Sequence, residues 1–179
     1  MTEDDLFDKT GQAYLCLIHP VTKDAVYRKE IEPVVAISAT VPDALVSSLI
    51  VGASWRERLL GLLLAMTKNP TVFVDQMLAS LRDVRGISIV PACAALAVLA
   101  RCGLFDATRL LTPEFDRTLF DGELGWALDI ASRYAAGESV GLNERGPNYG
   151  QFFTHQIELY EHILNGQPDA CSRRAKSGA

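Results

Sequence analysis

The 179-residue chain has only three histidines, and its four cysteines, Cys16, Cys93, Cys102 and Cys171, form no CxxC pair and no metal-ligand spacing. A zinc finger, a zinc ribbon or a dithiol redox motif is thereby excluded, because each needs closely spaced thiols. Cys93 and Cys102, nine residues apart in one apolar stretch, read as buried thiols rather than a bridge. GxGxxG and GxxxxGK[ST] are missing as well, so no glycine loop cradles a phosphate. No GxSxG presents a nucleophilic serine. Positive charge is in deficit, with 17 Lys and Arg against 22 Asp and Glu and a net charge of −5. Nucleic-acid binding calls for a basic patch or stripe, and the one basic cluster is Arg173-Arg174-Ala175-Lys176 in the tail, so no nucleic acid is expected as a partner. The longest apolar run, residues 87–100, contains Pro91 and falls short of the roughly 18–20 residues that span a bilayer, so no membrane is expected either. Residues 1–8 are acidic where a signal peptide is basic. The expectation is a cytoplasmic protein with reduced thiols and no cofactor.

What the chain does have is helix. Residues 55–66 and 89–102 are apolar nearly all the way round, and the amphipathic segment 72–81 lies between them. A helix without a polar face has to be buried, so these two belong at the centre of the fold. Ser54 is placed to cap the first, and Gly61 with Ala65 makes a small-residue flank that admits a close neighbour. Thr71 is placed to cap the second segment, with Phe73, Met77 and Leu81 inward, and the two helices are expected to pair as a hairpin. Ser88 and Asp106 are further N-caps, Thr112-Pro113-Glu114 reads as cap and first turn, and Asp121 as the start of another helix. The last helix, about 148–164, turns Phe153, Ile157, Tyr160 and Leu164 inward.

The N-terminal part is less regular. Residues 13–28 suit a short extended element. Pro33 restricts Glu32 to extended geometry, although 34–39 suits a helix. The fold class expected is all-α: a single domain over 11–165 made of stacked antiparallel helical hairpins, with residues 1–10 and 166–179 as disordered tails. Leu64-Ala65, Leu99-Ala100 and Tyr134-Ala135 each close a helix at intervals of 35 residues, within the range of roughly 34–47 residues of helical-hairpin repeats.

Trp55-Arg56-Glu57-Arg58-Leu59 opens a helix, Gly61 and Leu62 follow, and Gly125-Trp126-Ala127-Leu128 lies some seventy residues on. Over residues 42–136 this resembles an uncharacterised bacterial family of helical, HEAT-like domains with a Trp-Arg-x-Arg-Leu helix and a later Trp-Ala helix. The resemblance implies an α-α superhelix and no catalytic residue.

Three groups of residues are candidates for chemistry. His155, Glu158 and His162 fall within an arc of roughly 60° on one helix face, where two imidazoles and a carboxylate suit a zinc or iron site completed by a second helix. That arc points away from Phe153, Ile157 and Leu164, as a solvated face does. Arg56 and Arg58 flank the most apolar helix, either to clamp an anion or to pair with acids such as Asp75, Asp83 or Glu123. The loop 143–150 offers Arg145 and Tyr149, residue types typical of interface hot spots.

The reading that follows is a non-catalytic protein–protein interaction module with an unknown protein partner. Its more specific form is a bacterial immunity or antitoxin-type inhibitor whose acidic surface masks a basic toxin. The alternatives are a metal-dependent helical enzyme using His155, Glu158 and His162, or a small-molecule sensor with a ligand between helices near Trp55 and Trp126.

Overall fold

The computed structural model describes residues 1–19, 24–138 and 147–166. The fold is all-α, with no strand among the described residues. Its helices are α1 (Glu3–Thr10), α2 (Asp24–Ser38), α3 (Asp43–Ile50), α4 (Trp55–Thr67), α5 (Val74–Arg82), α6 (Ile89–Arg101), α7 (Leu119–Ala135) and α8 (Pro147–Asn165). Single 3-10 turns occupy Ala13–Leu17, Pro70–Phe73, Gly86–Ser88 and Ala107–Leu111. No helix of the described residues is long and apolar enough to cross a membrane.

The two apolar segments are the interior. α4 is buried from Arg58 to Met66 and α6 from Ile89 to Leu99, with no wet face on either. α4 begins at a reciprocal cap: Ser54 Oγ accepts from the Arg56 N–H at 3.1 Å, and Glu57 Oε2 accepts from the Ser54 N–H at 3.3 Å. Gly61 is where α3 seats on α4, since a Cβ there would lie 2.7 Å from Ile50 N and 2.9 Å from the Leu49 carbonyl carbon. The small-residue flank thus does what its sequence implies.

Packing departs from an open stack of hairpins. α4 packs against α2, α3, α6 and α8, while α6 packs against α4, α5, α7 and α8. In a solenoid each unit touches only its sequence neighbours; here α8 returns to the 3-10 turn Ala13–Leu17 and joins both ends of the described chain. α5 packs chiefly on α3 and α6 rather than pairing along α4.

The N-terminal expectations need correction. Residues 3–10 are a helix, with Thr2 Oγ1 and Asp5 forming a capping box and Leu6 wholly buried. With only Met1, Leu6 and Phe7 apolar in ten residues, the pattern hides a segment that docks through Leu6 and Phe7. The extended element expected at 13–28 is instead a 3-10 turn with Ala13, Tyr14, Cys16 and Leu17 buried, followed by α2; residues 20–23 lie outside those described. Pro33 lies inside α2. Burial of Ile31 and Val34 on either side of it outweighs the local penalty of about 3 kcal/mol. Further on, Thr71 Oγ1 bonds Asn69 rather than capping α5, Ser88 makes no side-chain cap, and Thr112-Pro113-Glu114 forms turns rather than a helix.

Helix propensity alone makes Gly61→Ala stabilising by about 1 kcal/mol. Overpacking against the α3 backbone costs about 1–3 kcal/mol and wins. The urea midpoint of Gly61→Ala is expected below the parent's, and a midpoint at or above it contradicts the seating of α3 on Gly61.

Candidate functional site

Arg58 is 1% exposed and lies among the carbonyl ends of two helices. Its Nε donates to the Gly52 carbonyl at 2.7 Å, just past α3. One terminal nitrogen donates to the carbonyls of Ser80, at 3.0 Å, and Asp83, at the end of α5. The other donates to the Val51 carbonyl at 3.5 Å and Asp83 Oδ2 at 3.3 Å. Burial pushes the guanidinium pKa down, and the Asp83 carboxylate works against that. Helix C-termini leave carbonyls unsatisfied and carry partial negative charge, so one planar fork of donors suits two such ends together. Of the acids proposed from sequence as partners, Asp83 is the one that pairs with Arg58, while Asp75 pairs with Arg109. Arg56 is exposed, with its guanidinium 5.3 Å from the Trp55 ring centroid.

Lys68, at the other end of α4, repeats the device. Its Nζ donates to the carbonyls of Val41, at 2.7 Å, and Ser38, at 3.3 Å, and pairs with Asp43 at 2.7 Å. It ties the end of α2 to the head of α3.

On α8, the expected common face of His155, Glu158 and His162 divides. His155 is 6% exposed, and its Nε2 is 2.8 Å from the Cys16 carbonyl. Glu158 and His162 are exposed. Gln156, also buried, donates from Nε2 to the Leu17 carbonyl at 2.7 Å. These two side chains bond the last carbonyls of the Ala13–Leu17 turn, which is why His155 faces inward beside Phe153 and Ile157. Among the described residues no group of three His, Cys, Asp or Glu side chains is placed to hold a metal ion. Arg145 and the first half of its loop, residues 143–146, lie outside the described residues, and Tyr149 falls in the first turn of α8 rather than in a loop.

A surface that sequence reasoning missed lies between α6 and α7. Residues 102–118 contain no α-helix, yet they carry buried anchors and a series of ion pairs and side-chain turns. Leu110 and Phe115 are buried anchors. Arg109 pairs with Asp75 at 2.7 Å, Glu114 with Arg82 at 2.8 Å, and Arg117 with Asp129. Asp106 and Asp116 each accept from the backbone N–H and hydroxyl of the threonine two residues on, at 2.7–3.1 Å. Those bonds hold both carboxyls below the usual aspartate range, and the Arg82 bond does the same for Glu114. Two Asp-x-Thr triplets ten residues apart were the available sequence signal.

The segment then enters α7 through a left-handed turn. Phe120, Asp121 and Gly122 have φ of 52°, 52° and 77°, so the regular helix begins after Gly122 rather than at Asp121. A left-handed residue other than glycine costs roughly 1–2 kcal/mol, and a bulky one persists only where its surroundings impose it. Gly125 closes the turn, since a Cβ there would meet the Arg117 carbonyl oxygen at 2.7 Å. The segment and the turn that follows it expose two apolar side chains: Leu111, 58% exposed, and Phe120, 48% exposed.

Comparison with family models, with curated proteins and with solved structures gives no match.

Arg58→Ala is expected to cost about 3–5 kcal/mol, the scale of removing one partner from a buried charged network. Asp83→Asn is expected to cost no more than about 1 kcal/mol, because its carboxylate is mostly exposed. Chemical denaturation of the two variants measures both; equal losses contradict the assignment of Arg58 to the carbonyl ends.

Proposed function

We propose that the protein is a non-catalytic protein-interaction module and that the pinned segment between α6 and α7 is its contact surface. The observation that carries this reading is the exposure of Leu111 and Phe120 on a backbone fixed by ion pairs and Asp-x-Thr turns. A contact residue already held in place loses little conformational entropy on binding, and an aromatic side chain is a common energetic anchor. The strain stored at Phe120 supports the same reading, because strained backbone gathers at functional sites.

The charges around the segment describe the partner. Asp75, Asp106, Glu114, Asp116, Asp121 and Asp129 stand against Arg82, Arg109 and Arg117. The partner is therefore a protein with a basic face and an apolar pocket. Charge complementarity of this kind speeds encounter more than it adds affinity. An immunity or antitoxin-type inhibitor that covers a basic toxin is the specific form of this reading.

The tagged full chain in the lysate of its native host is expected to retain a basic protein at one-to-one stoichiometry. The double variant Leu111→Ala/Phe120→Ala, folded by circular dichroism, is expected to bind that protein at least about thirtyfold more weakly, the scale of losing one hot spot of about 2 kcal/mol. Capture of nothing, or equal capture by both forms, overturns the proposal.

A further inference from the structure

Phe120, Asp121 and Gly122 pass through three successive left-handed conformations, with φ of 52°, 52° and 77°. Side chains other than glycine are disfavoured there, and here one of them is a phenylalanine left 48% exposed. The same residues hold an alternative. Continued as a right-handed helix at about 100° per residue, α7 would carry Phe120 within the arc of Leu124, Ala127, Leu128 and Ala131, which is the stripe that α7 buries. Backbone strain and the exposure of an aromatic ring therefore act in one direction, toward rewinding.

There is a place for the ring. A recess of about 300 Å³ lies where the end of the Ala13–Leu17 turn, the heads of α6 and α7 and the side of α8 meet. Ile18, Ile87, Val90 and Phe152 form its apolar walls, and Glu123 and Gln156 complete the lining. An apolar cavity of about 150 Å³ holds a benzene ring, so the recess has room for one phenylalanine side chain. Position 120 comes three residues before Glu123, and side chains at i and i+3 of a helix are neighbours. Rewinding thus sets Phe120 beside a residue that lines the recess.

Arg117 holds the turn in its left-handed form. It donates to the Gly125 carbonyl at 3.3 Å and pairs with Asp129. Its own carbonyl oxygen lies 2.7 Å from where a Cβ on Gly125 would stand. In a continuous helix residues 117 and 129 are about 18 Å apart along the axis, beyond the reach of that ion pair. The left-handed turn and the Arg117 bonds are therefore one state, and the rewound helix excludes both.

We propose that residues 117–122 are a two-state strap. In one state Arg117 latches the left-handed turn and Phe120 stands in water; in the other the latch is released, α7 gains a turn and Phe120 closes over the recess. Two packings of one segment are a known basis for switching. The strap does not depend on the contact reading, and its test needs no partner; on that reading, rewinding takes Phe120 off the surface.

The test is nuclear magnetic resonance of the isotope-labelled full chain in two variants. Arg117→Ala removes the latch, and Gly122→Ala penalises the left-handed state while favouring helix. Each is expected to give smaller amide–Hα couplings at residues 120 and 121 than the parent, and Overhauser contacts from the Phe120 ring to the methyls of Ile87 and Val90. Adding Asp121→Gly to Arg117→Ala relieves the left-handed state and is expected to restore the parent's turn. The Arg117 side chain is 36% exposed, so its variant keeps the fold and carries the test alone should Gly122→Ala not fold. Couplings unchanged in a folded variant, no reversal by Asp121→Gly, or a rewound turn whose Phe120 ring touches neither Ile87 nor Val90 overturns the strap.

Discussion

Nine consecutive residues of α4 and eleven of α6 are out of contact with water, and nothing on either helix offers a polar face. A cylinder buried all round needs neighbours on every side, so the other helices bring their ends, as well as their apolar stripes, up against the interior. Helix ends are the polar part of a helix, with their final carbonyls unpaired. In a medium of low dielectric an unpaired carbonyl costs far more than it does at the surface. Enclosing α4 and α6 thus creates a second requirement: donors sent inward to meet those carbonyls.

Four side chains meet it. Arg58 serves the ends of α3 and α5, Lys68 serves α2 and the turn into α3, and His155 and Gln156 serve the Ala13–Leu17 turn. The last two bonds join residues 139 positions apart and hold α8 against the start of the chain. Two of the four, Arg58 and His155, are the residues that the sequence offers as an anion clamp and a metal ligand, and both are spent on structure. Outside this lattice of donors lies the ion-paired segment before α7, with Leu111 and Phe120 exposed.

The sequence shows the interior plainly, because hydrophobic periodicity reports a buried face directly. The extent of α4, the close approach at Gly61 and the inward set Phe153, Ile157, Tyr160 and Leu164 follow from it, and Ser54 is legible as a cap from its residue type. The Arg58–Asp83 pair was among the alternatives the sequence offered. Periodicity says nothing of a polar residue buried by one hydrogen bond to a distant backbone, which is why it sets His155 on a solvated face and does not single out Gln156. Local rules failed at Pro33, where burial on both sides overrides them. They failed again at residues 3–10, where Leu6, Phe7 and a capping box are enough for a helix. The exposure of Leu111 and Phe120 is illegible for a related reason: both read as ordinary core residues until their neighbours are known.

The central claim is that α4 and α6 are the last elements to lose their structure, since each is enclosed by four other helices. Native-state hydrogen exchange, residue by residue, measures this directly. The account predicts that the slowest amides lie in 59–66 and 92–99 and exchange only by global unfolding, with the free energy of opening equal to that of denaturation. Exchange of either stretch through a smaller opening, while α2 or α8 stays protected, would contradict it.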